Sequence, residues 1–131
     1  MHSNQVGLPG GKKDLIDASL EVTVNRECQE EIGISPEKIL IEFPSVYIPP
    51  SNFMVHPFVG VYLTNPVFKL DAREVKEHIV ISVKECLEMN VCYKKVTIKN
   101  NEVLVPCYTY HGHVIWGATA FILSVFRNVL S

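Results

Sequence analysis

Leu20, Val24, Cys28 and Ile32 recur at helical spacing, and at roughly 100° per residue they form one apolar stripe. The stripe predicts a helix from about Ala18 to Ile32. Asp17 falls at its N-cap position, and Gly33 falls where a left-handed residue ends a helix. Beyond it the period changes. Ile39–Phe43 alternates weakly and reads as a strand. Pro44 to Asn52 holds three prolines and reads as a loop, and Phe53–Leu63 is rich in strand formers. Asn65-Pro66 marks a turn. Val67–Leu70 and Glu74–Val83 read as further strands, and Ser82–Met89 as a short helix. Val91–Ile98 and Val103–Tyr110, joined across Asn100-Asn101, read as a hairpin, and Trp116–Leu130 as a second long helix. Helices amid many strands imply an α+β fold, with the helices packed on a mostly antiparallel or mixed sheet.

The first helix carries an unusual charge pattern. Glu27, Glu30 and Glu31 stand at i, i+3 and i+4 and share the face beside the stripe, with Glu31 close to the stripe itself. Like charges at this spacing repel, and the last two lie at the negative end of the helix dipole. A cation would relieve both. Magnesium fits, because it takes oxygen ligands from a few carboxylates and completes its shell with water and phosphate; manganese suits the same ligands. Zinc fits less well, because Cys28 belongs to the stripe and no nearby histidine has ligand spacing. Gly10 and Gly11, in Leu8-Pro9-Gly10-Gly11-Lys12, let the backbone approach an ion or a phosphate closely. The other reading of the same residues is a solvated acidic face on a core helix.

Arg26-Glu27-Cys28-Gln29-Glu30-Glu31-Ile32-Gly33-Ile34 resembles the second half of the Nudix box, G-x5-E-x7-R-E-U-x-E-E-x-G-U with U aliphatic, except that Cys28 takes an aliphatic place. In the first half, the sixth residue after Gly11 is Asp17 in place of Glu, and Arg26 follows one position late. This longer form, with Asp17-Ala18-Ser19-Leu20 after the glycines, resembles the coenzyme A diphosphatase branch of the Nudix hydrolases. The likeness continues through Tyr47–Phe53, His56–Gly60, Val105-Pro106 and Ile115–Ala120, so it covers most of the chain.

The resemblance implies an α/β/α sandwich with a mixed sheet, formed by residues 1–131 as a single domain. Branch members carry strands and a basic recognition motif ahead of the glycine loop, so the expected sheet lacks N-terminal strands: either the chain is a truncated version or another chain completes the sheet. The implied activity is metal-dependent hydrolysis of the diphosphate bond of coenzyme A or acyl-coenzyme A, giving 3′,5′-ADP and (acyl)phosphopantetheine. Magnesium or manganese would be held by Glu27 and Glu31, with Glu30 as a third ligand and the Gly11 carbonyl as a fourth. Arg26 would keep the carboxylates in register; an exposed partner for Glu30 is its plainer role. Glu74 matches the place of a late catalytic acid, with Glu77 second, and a solvated strand-edge acid is the alternative. Gly10 and Lys12 border the phosphate site, although solvent is the plainer place for Lys12. Asn52 and His56 could contact the nucleotide or pantetheine part of a substrate. Another substrate, such as ADP-ribose or NADH, is the alternative enzyme reading. A nucleotide-binding module with little or no catalysis is the alternative of another class.

Composition narrows the partners. A net charge of −2 offers no footprint for nucleic acid, and no basic cluster flanks an amphipathic stretch to suit a membrane surface. The apolar run from His113 to Leu130 is broken by Gly117, Thr119, Ser124 and Arg127, too often for a span of about 20 residues. A hydrophobic content of 47% and mean hydropathy of +0.16 suit a chain with an apolar surface needing cover, as in a homo-oligomer. Cys28, Cys86, Cys92 and Cys107 form no C-x-x-C pair, so free thiols in a reducing cytoplasm are expected. His111-Gly112-His113 reads as a turn rather than a metal pair, and Trp116 as core packing.

Overall fold

The structure, a computed structural model, describes residues 5–48, 52–73, 75 and 77–131. These fall into two compact units: Pro9–His78, and a second that joins the stretch up to Leu8 to Ile79–Ser131. The α+β expectation holds. The described strands pair antiparallel throughout, in two two-stranded ribbons and one three-stranded sheet; the parallel pairing of a mixed sheet is not among the described residues.

In the first unit, α1 (Leu20–Ile32) starts later than expected. Ser19, not Asp17, is the N-cap: its backbone is extended and its side chain accepts from the Val22 N–H at 3.3 Å. Asp17 is drawn elsewhere, as described below. Gly33 ends the helix at φ 80°, donating its N–H to the Gln29 carbonyl. A β-carbon there would come within 2.8 Å of Lys69, so the glycine also answers a close approach.

That approach explains a correction. Val67–Leu70 is not a strand: the N–H groups of Lys69 and Asp71 donate to the Ile32 and Glu31 carbonyls at 2.8 and 2.9 Å. The segment satisfies carbonyls that a helix end leaves open, so its donors are not available to a ladder. The strand expected at Glu74–Val83 is also absent among the described residues; the Val75 N–H donates to the Asp71 carbonyl, and residues 77–82 run without ladder pairing into the next helix.

β1 (Lys38–Glu42) pairs with β4 (Phe58–Val61), with a register shift between Ile39 and Ile41. The expected Phe53–Leu63 strand is split at His56-Pro57, since proline lacks the donor a ladder needs. Its first part, β3 (Phe53–Val55), pairs with β2 (Val46–Ile48), so the expected proline loop contains a short strand.

In the second unit, Ser82 and Glu85 form a reciprocal capping box on α2 (Val83–Glu88). β5 (Val91–Ile98) and β6 (Asn101–Tyr110) form the expected hairpin, but its two-residue turn is Lys99-Asn100, both at positive φ. This register sets Cys92 opposite Cys107, and the two form a disulfide with Cα atoms 5.1 Å apart. The expectation of four free thiols is therefore corrected; Cys28 and Cys86 are free and buried. His111-Gly112 is a second two-residue turn at positive φ, as its sequence suggested. It leads into β7 (His113–Trp116), which ends on the residue where the second long helix was expected to start, and α3 (Gly117–Leu130) follows. Cys86, Met89, Tyr108, Ile115 and Ala120 form the buried core of this unit. Trp116 is half-buried, with the Lys94 ammonium 4.9 Å from its ring centre.

No helix among the described residues is long and apolar enough to cross a membrane. Several large apolar side chains are uncovered, Leu15 fully and Ile16 at 83% exposure among them, in line with the hydropathy.

Candidate active site

The site is built by α1 and the loop ahead of it, and its centre is Arg26. The guanidinium grips Asp17 with two parallel bonds, from Nε to Oδ1 at 3.1 Å and from Nη2 to Oδ2 at 3.0 Å. Nη2 also donates to the Lys12 carbonyl at 3.3 Å. The remaining nitrogen, Nη1, reaches Glu27 Oε1 at 3.1 Å and Glu30 Oε2 at 3.2 Å. Glu30 is the i,i+4 neighbour that a plain helix surface would supply; Asp17 and Lys12 are not.

Asp17 is 4% exposed and has further donors: the Asp14 N–H at 2.8 Å and the Thr23 hydroxyl at 3.0 Å, both to Oδ2. These bonds hold its carboxyl well below the ordinary carboxylate range, Arg26 first and the Asp14 backbone next, against the opposing effect of burial. The same pairing raises the Arg26 guanidinium above its ordinary value. Asp17 is thus the anchor of Arg26, a role that its reading as an N-cap missed. Its only signal in the sequence is its place in the box, where an acid is expected.

The glycine turn meets the helix at two points. The Gly10 N–H donates to Glu31 Oε2 at 2.8 Å. Gly11 packs so closely on Glu27 that a β-carbon there would stand 2.5 Å from the Glu27 carboxyl carbon. Two carboxylates one helical turn apart therefore converge on adjacent glycines. Cys28, on the buried side, has its thiol pushed up by burial first and by the Glu31 and Glu27 charges next.

The other expected residues stand as follows. Lys12 enters through its carbonyl, and its side chain is exposed. Asn52, at φ 58°, accepts from the Tyr47 hydroxyl at 2.6 Å beside the β2–β3 ribbon. His56 is half-buried between β3 and β4. Neither joins the Arg26 network. Glu74 lies outside the described residues, and Glu77 is exposed.

The fit to a divalent ion can be judged from this donor set. Among the described residues, no three His, Cys, Asp or Glu side chains stand together as a ready-made metal cage. What is present is an all-oxygen group in which Asp17, Glu27 and Glu30 share the guanidinium of Arg26, and Glu31 accepts from the Gly10 N–H beside them. Oxygen donors of this kind suit an ion such as magnesium, which needs only a few protein carboxylates.

No protein-family model matches the chain. It is similar to proteins named as uncharacterized Nudix hydrolases NudL. The Photorhabdus laumondii relative is 30% identical over 124 residues, covering 93% of this chain and 66% of the relative. Those of Pectobacterium atrosepticum and Salmonella paratyphi B are each 32% identical over 127 residues, covering 93% of this chain and 65% of the relative. The chain thus spans slightly less than two thirds of the length of these curated relatives. With the box on α1, its arginine anchored to Asp17 and its glutamates against the glycine turn, this likeness along nearly the whole chain places the protein: it belongs to the Nudix superfamily.

Proposed function

We propose that this chain is a metal-dependent diphosphatase that cleaves coenzyme A or an acyl-coenzyme A to 3′,5′-ADP and (acyl)phosphopantetheine. The observation that carries the diphosphatase reading is the convergence of Glu27 and Glu31 on Gly10 and Gly11, with Arg26 drawing Glu27 and Glu30 together. Glu27, Glu31 and the Gly11 carbonyl would hold magnesium or manganese, with Glu30 beside them. When bound, the ion supplies positive charge to the diphosphate oxygens and makes a water more acidic.

The chain's own residues supply positioning. Arg26 spends its donors on carboxylates and a carbonyl, so its part is to fix Glu27 and Glu30 and not to touch phosphate. The glycine turn presents bare backbone to the phosphate chain, and the exposed Lys12 side chain beside it can meet a phosphate oxygen. One carboxylate, Glu30 or Glu74, takes a proton from the attacking water as a phosphorus–oxygen bond forms and the bridging one breaks.

The choice of coenzyme A rests on the longer box, Tyr47–Phe53 and Ile115–Ala120, with Asn52 and His56 assigned to the nucleotide or pantetheine part. Incubation of the chain with coenzyme A and magnesium, with products identified by mass spectrometry, is expected to yield 3′,5′-ADP. Cleavage of ADP-ribose without cleavage of coenzyme A would overturn the substrate. Binding of these nucleotides without turnover of any would favour a binding module.

A further inference from the structure

Thr23 lies inside α1 at 4% exposure, and the family pattern of charged residues gives it no task. Its hydroxyl is 3.0 Å from Asp17 Oδ2 and 3.3 Å from the Ser19 carbonyl oxygen. One hydroxyl carries one proton, so the two acceptors compete, and the nearer, ionised one is the stronger. A bond to the carbonyl four residues back is common for threonine in helices and would by itself mean little. The bond to Asp17 differs in what depends on it.

Asp17 Oδ2 accepts from Thr23, from the Asp14 N–H and from Arg26 Nη2, whereas Oδ1 accepts from Arg26 Nε. The orientation of the carboxylate is thus fixed at Oδ2, and the guanidinium fork, bonded to both oxygens, must follow it. Rotation of that fork moves Nη1, the nitrogen that holds Glu27 and Glu30.

Resting on the diphosphatase reading above, we infer that Thr23 is a positioning residue: through Asp17, its hydroxyl sets the rotation of Arg26 and so the place of the Glu27 carboxylate. Valine in its place keeps the shape, removes the proton and leaves a buried carboxylate one donor short.

The test compares Thr23→Val and Thr23→Ser with the unaltered 131-residue chain. Two independent readouts are taken: hydrogen exchange of the Arg26 Nε–H by nitrogen-edited NMR, and kcat and KM for coenzyme A with magnesium. The chain has three arginines, and Arg73 is 90% exposed, so the protected signals are few. In Thr23→Val, exchange is expected to quicken at least about tenfold and kcat to fall about tenfold, on the scale of one charge-assisted bond. KM should change by less than about twofold, and serine should restore both quantities. Unchanged Arg26 exchange in the valine variant overturns the proposal. So does a fall in Tm with exchange and kcat per folded molecule unchanged, because that marks a structural role alone. If valine prevents folding, serine and Thr23→Ala carry the same comparison. A wild-type chain that cleaves no diphosphate tested would overturn the enzyme reading, while the exchange measurement still decides whether Thr23 orients Arg26.

Discussion

Gly11→Ala separates the chemistry of this site from its folding. Gly11 is not at positive φ, so alanine is compatible with its backbone. The added β-carbon would lie 2.5 Å from the Glu27 carboxyl carbon and equally close to Oε1. Comfortable carbon–carbon contact begins near about 3.5 Å, so Glu27 must retreat by roughly 1 Å. The retreat costs the fold little, because a glutamate tip is flexible. Alanine also restricts the unfolded chain, worth about 0.4–1 kcal/mol in favour of folding at a compatible position. The site pays instead: a catalytic group misplaced by about 1 Å can lose on the order of 10²-fold in rate. The expected result is a kcat about a hundredfold lower at saturating magnesium, with Tm within about 3 °C of the unaltered chain. Gly7→Ala serves as the control, since among the described residues nothing beyond its chain neighbours lies within 4 Å of a β-carbon there. A Gly11→Ala kcat within threefold of the original, at equal Tm, would refute the claim that this glycine is required by Glu27.

Three other outcomes follow from the geometry. Glu27→Gln keeps the size of the side chain and removes the charge; turnover should fall at least about a hundredfold with an unchanged circular dichroism spectrum, and equal turnover would count against the metal role of Glu27. Because the folded Asp17 carboxyl lies below its ordinary value of 3.8, its contribution to stability is complete above that value and is lost as pH falls below it towards the folded value. Chemical denaturation between pH 6 and about pH 2 should therefore show an acid-side loss that Asp17→Asn flattens; parallel curves for the two proteins would contradict the pairing. Thiol titration in denaturant should find two reactive cysteines before reduction, Cys28 and Cys86, and four after it; four at the outset would exclude the Cys92–Cys107 bond.

Local order sufficed for much of this protein. The apolar stripe of α1, the left-handed Gly33, the capped helix after Ser82 and the second long helix were legible because each depends on neighbours within a turn or two. The three glutamates on one helical face are likewise a property of spacing, and so the family likeness could be read from the sequence. What only the tertiary structure decided were pairings between distant residues. Arg26 meets Asp17 nine positions away and Lys12 fourteen away because the loop ahead of α1 folds back along it, which no periodicity encodes. Val67–Leu70 has the composition of a strand, yet Lys69 and the adjoining Asp71 bond to the end of α1 because open helix carbonyls compete for their N–H groups. The disulfide depended on whether the hairpin turned at Lys99-Asn100 or one residue later, since a shift of the turn shifts every cross-strand partner. Sequence thus settled which side chains a helix presents, and the fold settled what they meet. Helical phase is set by bonds four residues apart, whereas the partner of a charge depends on how the whole chain closes around it.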